Sequence, residues 1–176
     1  MLVLLLNACS SHSDAVYQTS FNFANVKTYS IYQRNSTFTE TQNLTDSRRN
    51  SLEIAIEKAL EQQGFHYQEI DKADLVITYH VLNGKKNDYH DYNAEVRFCQ
   101  HCLKASNWHN EGSGLKVKRG SLIIDLIDPI KKRSVWRSIA PLKLKDKDNS
   151  RVVNEKIQQE VMLMFQQYPS YSLNNN

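Results

Sequence analysis

The sequence predicts an α+β fold: a mostly antiparallel sheet of about five to six strands with two helices packed on one face. Two segments, 52–60 and 153–168, repeat apolar residues at helical spacing. Several segments between them alternate apolar and polar residues with the period of two of a strand. The order is therefore strand, helix, a run of strands, helix, which suits a sheet covered by both helices on one side.

Residues 26–33 are rich in β-branched and aromatic side chains and read as the first strand, and the polar stretch 34–45 loops out. From Ser47 onward, Leu52, Ala55, Ile56, Ala59 and Leu60 share one helical face; Thr45 or Asp46 is placed to accept the first amides, and Gly64 to end the helix. Residues 65–70 read as a short strand. Residues 73–82 form a better one, with Leu75, Ile77, Tyr79 and Val81 on one face, and Asn83-Gly84 marks a turn. Tyr92, Ala94, Val96 and Phe98 alternate again and read as a further strand. In 122–127 both alternating sets are largely apolar, which places that strand centrally. Asp128-Pro129 starts a turn, and 133–141 returns as the partner strand. The last helix aligns Val153, Ile157, Val161, Met164 and Tyr168, with Asn149 or Ser150 at its start and Pro169 at its stop. The first strand, first helix and next strand are expected to form one right-handed crossover.

A net charge of +3 is too small to argue for nucleic acid. Basic residues cluster in Lys116-Val-Lys118-Arg119, Lys131-Lys132-Arg133 and Lys143-Leu-Lys145-Asp-Lys147. They read as a solvated strand face or a protected sheet edge, with contact to anionic headgroups as the sharper alternative.

The compartment is read from the N-terminus, where an apolar run ends in Leu6-Asn7-Ala8-Cys9 in the pattern of a bacterial lipobox. That run is too short to span a bilayer, which takes about 20 apolar residues. It also lacks the Lys or Arg of a complete secretory signal, so residues 1–8 read as a truncated lipoprotein signal. Cys9 is then acylated, 9–20 is a lipidated tether, 21–170 is a single α+β domain and 171–176 is a polar tail. Each buried CH₂ adds about 0.8 kcal/mol, so three acyl chains hold a domain essentially permanently. Ser10 follows the cysteine instead of Asp, which resembles the pattern released to the outer membrane. The expected partners are the membrane and an envelope protein, and the expected location is the outer membrane, facing the periplasm.

A set of landmarks carries a family resemblance. Phe21-Asn-Phe23 with Lys27-Thr28-Tyr29, then Ala73-Asp74-Leu75-Val76-Ile77, Gly120-Ser121-Leu122-Ile123-Ile124-Asp125, Asp128, Val135-Trp136-Arg137 and Tyr168-Pro169 follow one another. Together they resemble the domain of unknown function 4136 (DUF4136), a group of bacterial envelope lipoproteins. The resemblance covers nearly the whole mature chain and implies a lipid-anchored α+β domain with no established activity. It assigns no functional residue. Tyr168-Pro169 departs from the Phe-Pro common in the family, and the segment 99–109 is not general to it.

That segment holds the most unusual local feature, Cys99-Gln-His101-Cys102. With Cys9 consumed by lipid, an oxidising compartment favours a Cys99–Cys102 disulfide. The alternative is a zinc site using both thiolates with His101, His109 or His90, although a second regular ligand pair is missing. Redox catalysis is a third choice, weakened because no strong helix follows to lower a thiol pKa. Asp125 and Asp128 lie three apart, on opposite faces of a strand, so they do not converge as an acid/base pair. Trp136 reads as core and Trp108 as a surface contact. No phosphate-binding glycine loop or nucleophile elbow is present. The preferred reading is a non-enzymatic binding or structural module without a cofactor, contacting partners through a sheet surface or the loop 100–114. A metal-binding or thiol-redox protein is the alternative.

Overall fold

A computed structural model of the chain describes residues 14–32, 44–84, 88–95, 108–109 and 118–169. In chain order the elements are β1 (Asp14–Gln18), a 3₁₀ turn (Phe23–Asn25), β2 (Thr28–Ile31), α1 (Asp46–Gln62), β3 (His66–Tyr67), β4 (Leu75–Val81), α2 (Asp88–Glu95), β5 (Trp108–His109), β6 (Ser121–Asp128), β7 (Arg133–Pro141) and α3 (Ser150–Phe165). The strands form one sheet in the order β3-β2-β4-β6-β7-β1-β5. The α+β class is as the sequence predicts, but the sheet is mixed: β2 pairs parallel with both β3 and β4, and the remaining pairings are antiparallel. α1 connects β2 to β3, and β3 and β4 both lie parallel to β2, as a crossover connection requires.

Local chemistry sets the helix ends. Thr45 Oγ1 accepts the Arg48 amide, and Gly64 adopts the left-handed φ of +85° that closes α1. Asn149 Oδ1 accepts the Val152 amide at 3.0 Å and starts α3. The two helices lie side by side on one face, linked by Ser51 Oγ to Asn154 Oδ1 at 2.6 Å. Leu52, Ile56 and Leu60 from α1 and Val161, Met164 and Phe165 from α3 pack there on Leu75, Ile77, Leu122, Ile124, Leu126 and Trp136. Each such side chain gains roughly 1.5–3 kcal/mol by burial.

Two assignments are corrected. Residues 14–18, read as tether, form a strand paired with β7, with Asp14 opposite Ile139 and Tyr17 opposite Trp136. Ala15 and Val16 are buried in clusters on opposite faces, so pairing and packing from distant residues, not local pattern, make this strand. The alternation from Tyr92 to Phe98 instead starts within a helix. Asp88 and Tyr92, four apart, are buried, whereas His90 and Asp91 are exposed, which is helical periodicity. This third helix covers the sheet face opposite α1 and α3, where Tyr92 joins Val16, Val76, Ile123, Ile127 and Ile139.

Candidate functional site

Among the described residues, a dense group of ionisable side chains lies beneath α2. Asp125 on β6 and Arg137 on β7 face each other across the hairpin, and both are 0% exposed. Arg137 Nε donates to Asp125 Oδ1 and Nη2 donates to Oδ2, both at 2.8 Å, a bidentate ion pair. Tyr92 donates its hydroxyl to Oδ2 at 2.7 Å and lies 3.1 Å from the Thr78 hydroxyl. The Ser134 hydroxyl reaches Oδ1 at 2.7 Å and the Trp136 carbonyl at 3.0 Å, with one proton to give. Arg137 Nη1 donates to the Tyr89 hydroxyl at 3.0 Å, and the guanidinium lies over the rings of Tyr89 and Tyr92. Burial disfavours the Arg137 cation, yet Asp125 and the tyrosines more than restore it and raise its pKa above the ordinary value. Burial, reinforced by Asp125, likewise pushes the Tyr92 phenol up.

A β-bulge creates this pairing. Asp128 opposes Arg133 and Ile127 opposes Ser134, but one extra residue in β7 then sets Leu126 opposite Trp136 and Asp125 opposite Arg137. Val135 and Trp136 both pack toward the helices α1 and α3 as a result.

Beside the pair, His80 stacks on Tyr92 with ring centroids 4.8 Å apart. His80 Nε2 lies 2.8 Å from Asp88 Oδ1, and Asp88 Oδ2 accepts the Asn83 amide at 2.6 Å. With Asp88 as acceptor, the network assigns the neutral ring a proton on Nε2; buried Nδ1 has no partner among the described residues. Burial holds the His80 pKa below its ordinary 6.5, and Asp88 offsets this only in part. The unfolded chain therefore binds more protons as pH drops below 6.5. The stabilising contribution is complete above that value and is lost as pH falls through the lowered folded pKa. Urea midpoints should fall between about pH 7 and about pH 5, and His80→Gln, which keeps a donor for Asp88, should flatten that slope. An unchanged slope in the variant would remove His80 as its source.

Among the described residues both oxygens of Asp125 accept bonds from buried donors, and neither Asp125 nor Arg137 is exposed. What the arrangement does chemically is fasten α2 to the sheet. Other landmarks meet in the same structural way. Asp74 Oδ2 accepts the amides of Lys27 and Thr28 and the Thr28 hydroxyl, within 2.9 Å. Burial pushes the Asp74 carboxyl up, and these donors outweigh it and hold the pKa below the ordinary value. The Tyr168 hydroxyl donates to the Phe23 carbonyl at 3.1 Å, with the two rings edge to face. Asp128 Oδ1 accepts the amides of Ile130 and Lys131, the turn role read from Asp128-Pro129.

Accessible concavities lie elsewhere. One open cleft of about 830 Å³ is lined by Phe23, Val26, Phe65 and Tyr168 among others. Another, of about 510 Å³, lies at the opposite end of the sheet and presents Arg48, Arg119, Lys143 and Lys145.

Of the site residues read from sequence, Cys9, Cys99, His101 and Cys102 lie outside the described residues. Trp108 and His109 form the backbone of β5, paired with Gln18 and Tyr17. His90 sits on the exposed side of α2. Among the described residues no three His, Cys, Asp or Glu side chains are grouped to hold a metal ion.

Residues 13–170 match the family profile described as "Domain of unknown function (DUF4136)". The chain belongs to the DUF4136 family. The resemblance read from the ordered landmarks is thereby established, and three pairs of those landmarks are the contacts just described. A crystal structure of a DUF4136 family protein from Bacteroides thetaiotaomicron shares the fold, with a TM-score of 0.55 at 13% identity over 90% of this chain and 95% of that one. A PDZ domain protein from Parabacteroides distasonis gives a TM-score of 0.47 at 18% identity, over 91% of this chain and 37% of that one. The PelC dodecamer from Paraburkholderia phytofirmans gives 0.41 at 11% identity, over 87% and 96%. No curated protein matches this DUF4136 chain in sequence.

Proposed function

We propose that this DUF4136 protein is a lipid-anchored envelope module, held at the outer membrane through acyl chains on Cys9 and facing the periplasm. It works there as a binding or structural unit, with an envelope protein as partner, and not as an enzyme. One observation carries the reading: the apolar run ending in Leu6-Asn7-Ala8-Cys9, followed by Ser10. Three acyl chains on that sulfur and its amine would make membrane residence essentially permanent. Supporting the non-catalytic part, the best-assembled ionisable cluster is buried and internally satisfied, so its chemistry is spent on holding elements together.

Radioactive palmitate should label the wild-type protein in cells and leave Cys9→Ser unlabelled; equal labelling would overturn the anchor. The intact mass of the protein extracted from membranes should show the acyl mass, together with the loss of two hydrogens that marks a Cys99–Cys102 disulfide. Free thiols with a bound zinc ion would instead favour the metal-binding alternative.

A further inference from the structure

We propose that the end of the sheet where β1 begins is a membrane-facing surface that rests on anionic phospholipid headgroups. The inference builds on the acylated Cys9 proposed above and adds an orientation to it. Because β1 runs antiparallel to β7 with Asp14 opposite Ile139, the chain before Asp14 leaves the sheet at the end where β7 finishes at Pro141. Cys9 precedes Asp14 by five residues. At about 3.6 Å per extended residue the acyl chains lie within about 18 Å of that end.

The same end carries the excess of positive charge. Arg48 at the start of α1, Arg119 before β6, and Lys143 and Lys145 after β7 surround one cleft. Lys118 and Lys147 are exposed beside them in the chain. Among the described residues none of these six side chains joins an ion pair. Among the described residues the exposed acids near it are Asp46, Asp146 and Asp91 on the first turn of α2, while Glu155 is paired with Arg151 at 2.9 Å and Asp148 with Lys156 at 2.6 Å. At the far end of the same strands the charges are mixed: Lys27, Lys72, Lys131 and Lys132 alternate with Glu69, Asp71 and Asp74. The basic clusters noticed in the sequence thus part company. Residues 118–119 and 143–147 gather at the anchor end, and 131–133 lies at the other.

Each Lys or Arg near an anionic leaflet strengthens attachment about fivefold, and one face with several of them orients a tethered body. The test uses the full chain with Cys9→Ser, so that no acyl chain contributes. It should sediment with phosphatidylcholine vesicles containing about 30% phosphatidylglycerol, and not with phosphatidylcholine alone. Adding Arg48→Glu and Lys145→Glu should weaken partitioning more than about tenfold. The first of these completes a capping box with Thr45, so folding is favoured. Lys72→Glu with Lys131→Glu makes the same change in net charge at the far end and should leave partitioning within about twofold. Equal loss in both double variants, equal binding to both vesicle types, or no binding to either would overturn the proposal. None of these results depends on acylation, which palmitate labelling decides separately.

Discussion

Arg137→Met should lower the free energy of unfolding by about 3–5 kcal/mol, read as a drop in the urea midpoint, because it leaves the Asp125 carboxylate buried without its counter-charge. Both side chains are fully buried, so removing the guanidinium leaves the carboxylate away from bulk solvent. The cost belongs to breaking the pair, not to its net worth. Asp125→Leu combined with Arg137→Met should therefore recover most of the loss, since well-packed apolar replacements of both partners are often neutral. Ser134 keeps the Trp136 carbonyl and Tyr92 keeps the Thr78 hydroxyl, while Tyr89, only half-buried, loses the Arg137 donor. A double variant as unstable as the sum of its singles would show that the pair is not the coupled unit described here.

Trp136→Ala should cost a similar amount, about 3–5 kcal/mol, by a different route. The indole is fully buried on the helical face, stacked on Phe165 at 5.6 Å, and its Nε1 donates to the Gln167 carbonyl at 3.3 Å. Removing it opens a cavity beneath α3 that neighbours can close only in part. Trp136→Phe keeps the stacking and loses mainly the hydrogen bond, so it should cost markedly less. Chemical denaturation followed by circular dichroism separates the two, and equal losses would place the energy in the hydrogen bond.

Both effects depend on the bulge in β7, and the bulge marks the limit of what the sequence discloses. Helices α1 and α3 are legible because their stripes are long and their caps are explicit in Thr45, Gly64 and Asn149. The central place of β6 is legible because both its faces are apolar. Asp125 stands out on that strand as a polar residue, but its partner does not. Counting back from the turn at Asp128 and Arg133 sets Asp125 opposite Trp136, and only an inserted residue brings Arg137 into place. An arginine within an apolar strand across a short turn from a buried aspartate was the available signal.

The misread elements fail for related reasons. Residues 14–18 hold too short a pattern to reveal a strand whose pairing comes from β7. In α2 an eight-residue helix offers barely two turns; Tyr92 with Ala94, two apart, shows the strand period, while the helical pair Asp88 and Tyr92 has a polar member. The helix is held by tertiary bonds from Asp88 and Tyr92, which no local reading contains.

The position of β1 also dictates when the fold can be finished. Asp14 through Val16 have their partners in residues 137–139, Tyr17 and Gln18 meet β5 only at 108–109, and the Tyr168 hydroxyl must travel back across 145 residues to meet Phe23. Closing loops of that span is slow compared with forming α1 or the β6–β7 hairpin. A nascent chain emerging from its N-terminus therefore cannot lock its two ends together until its last helix is made.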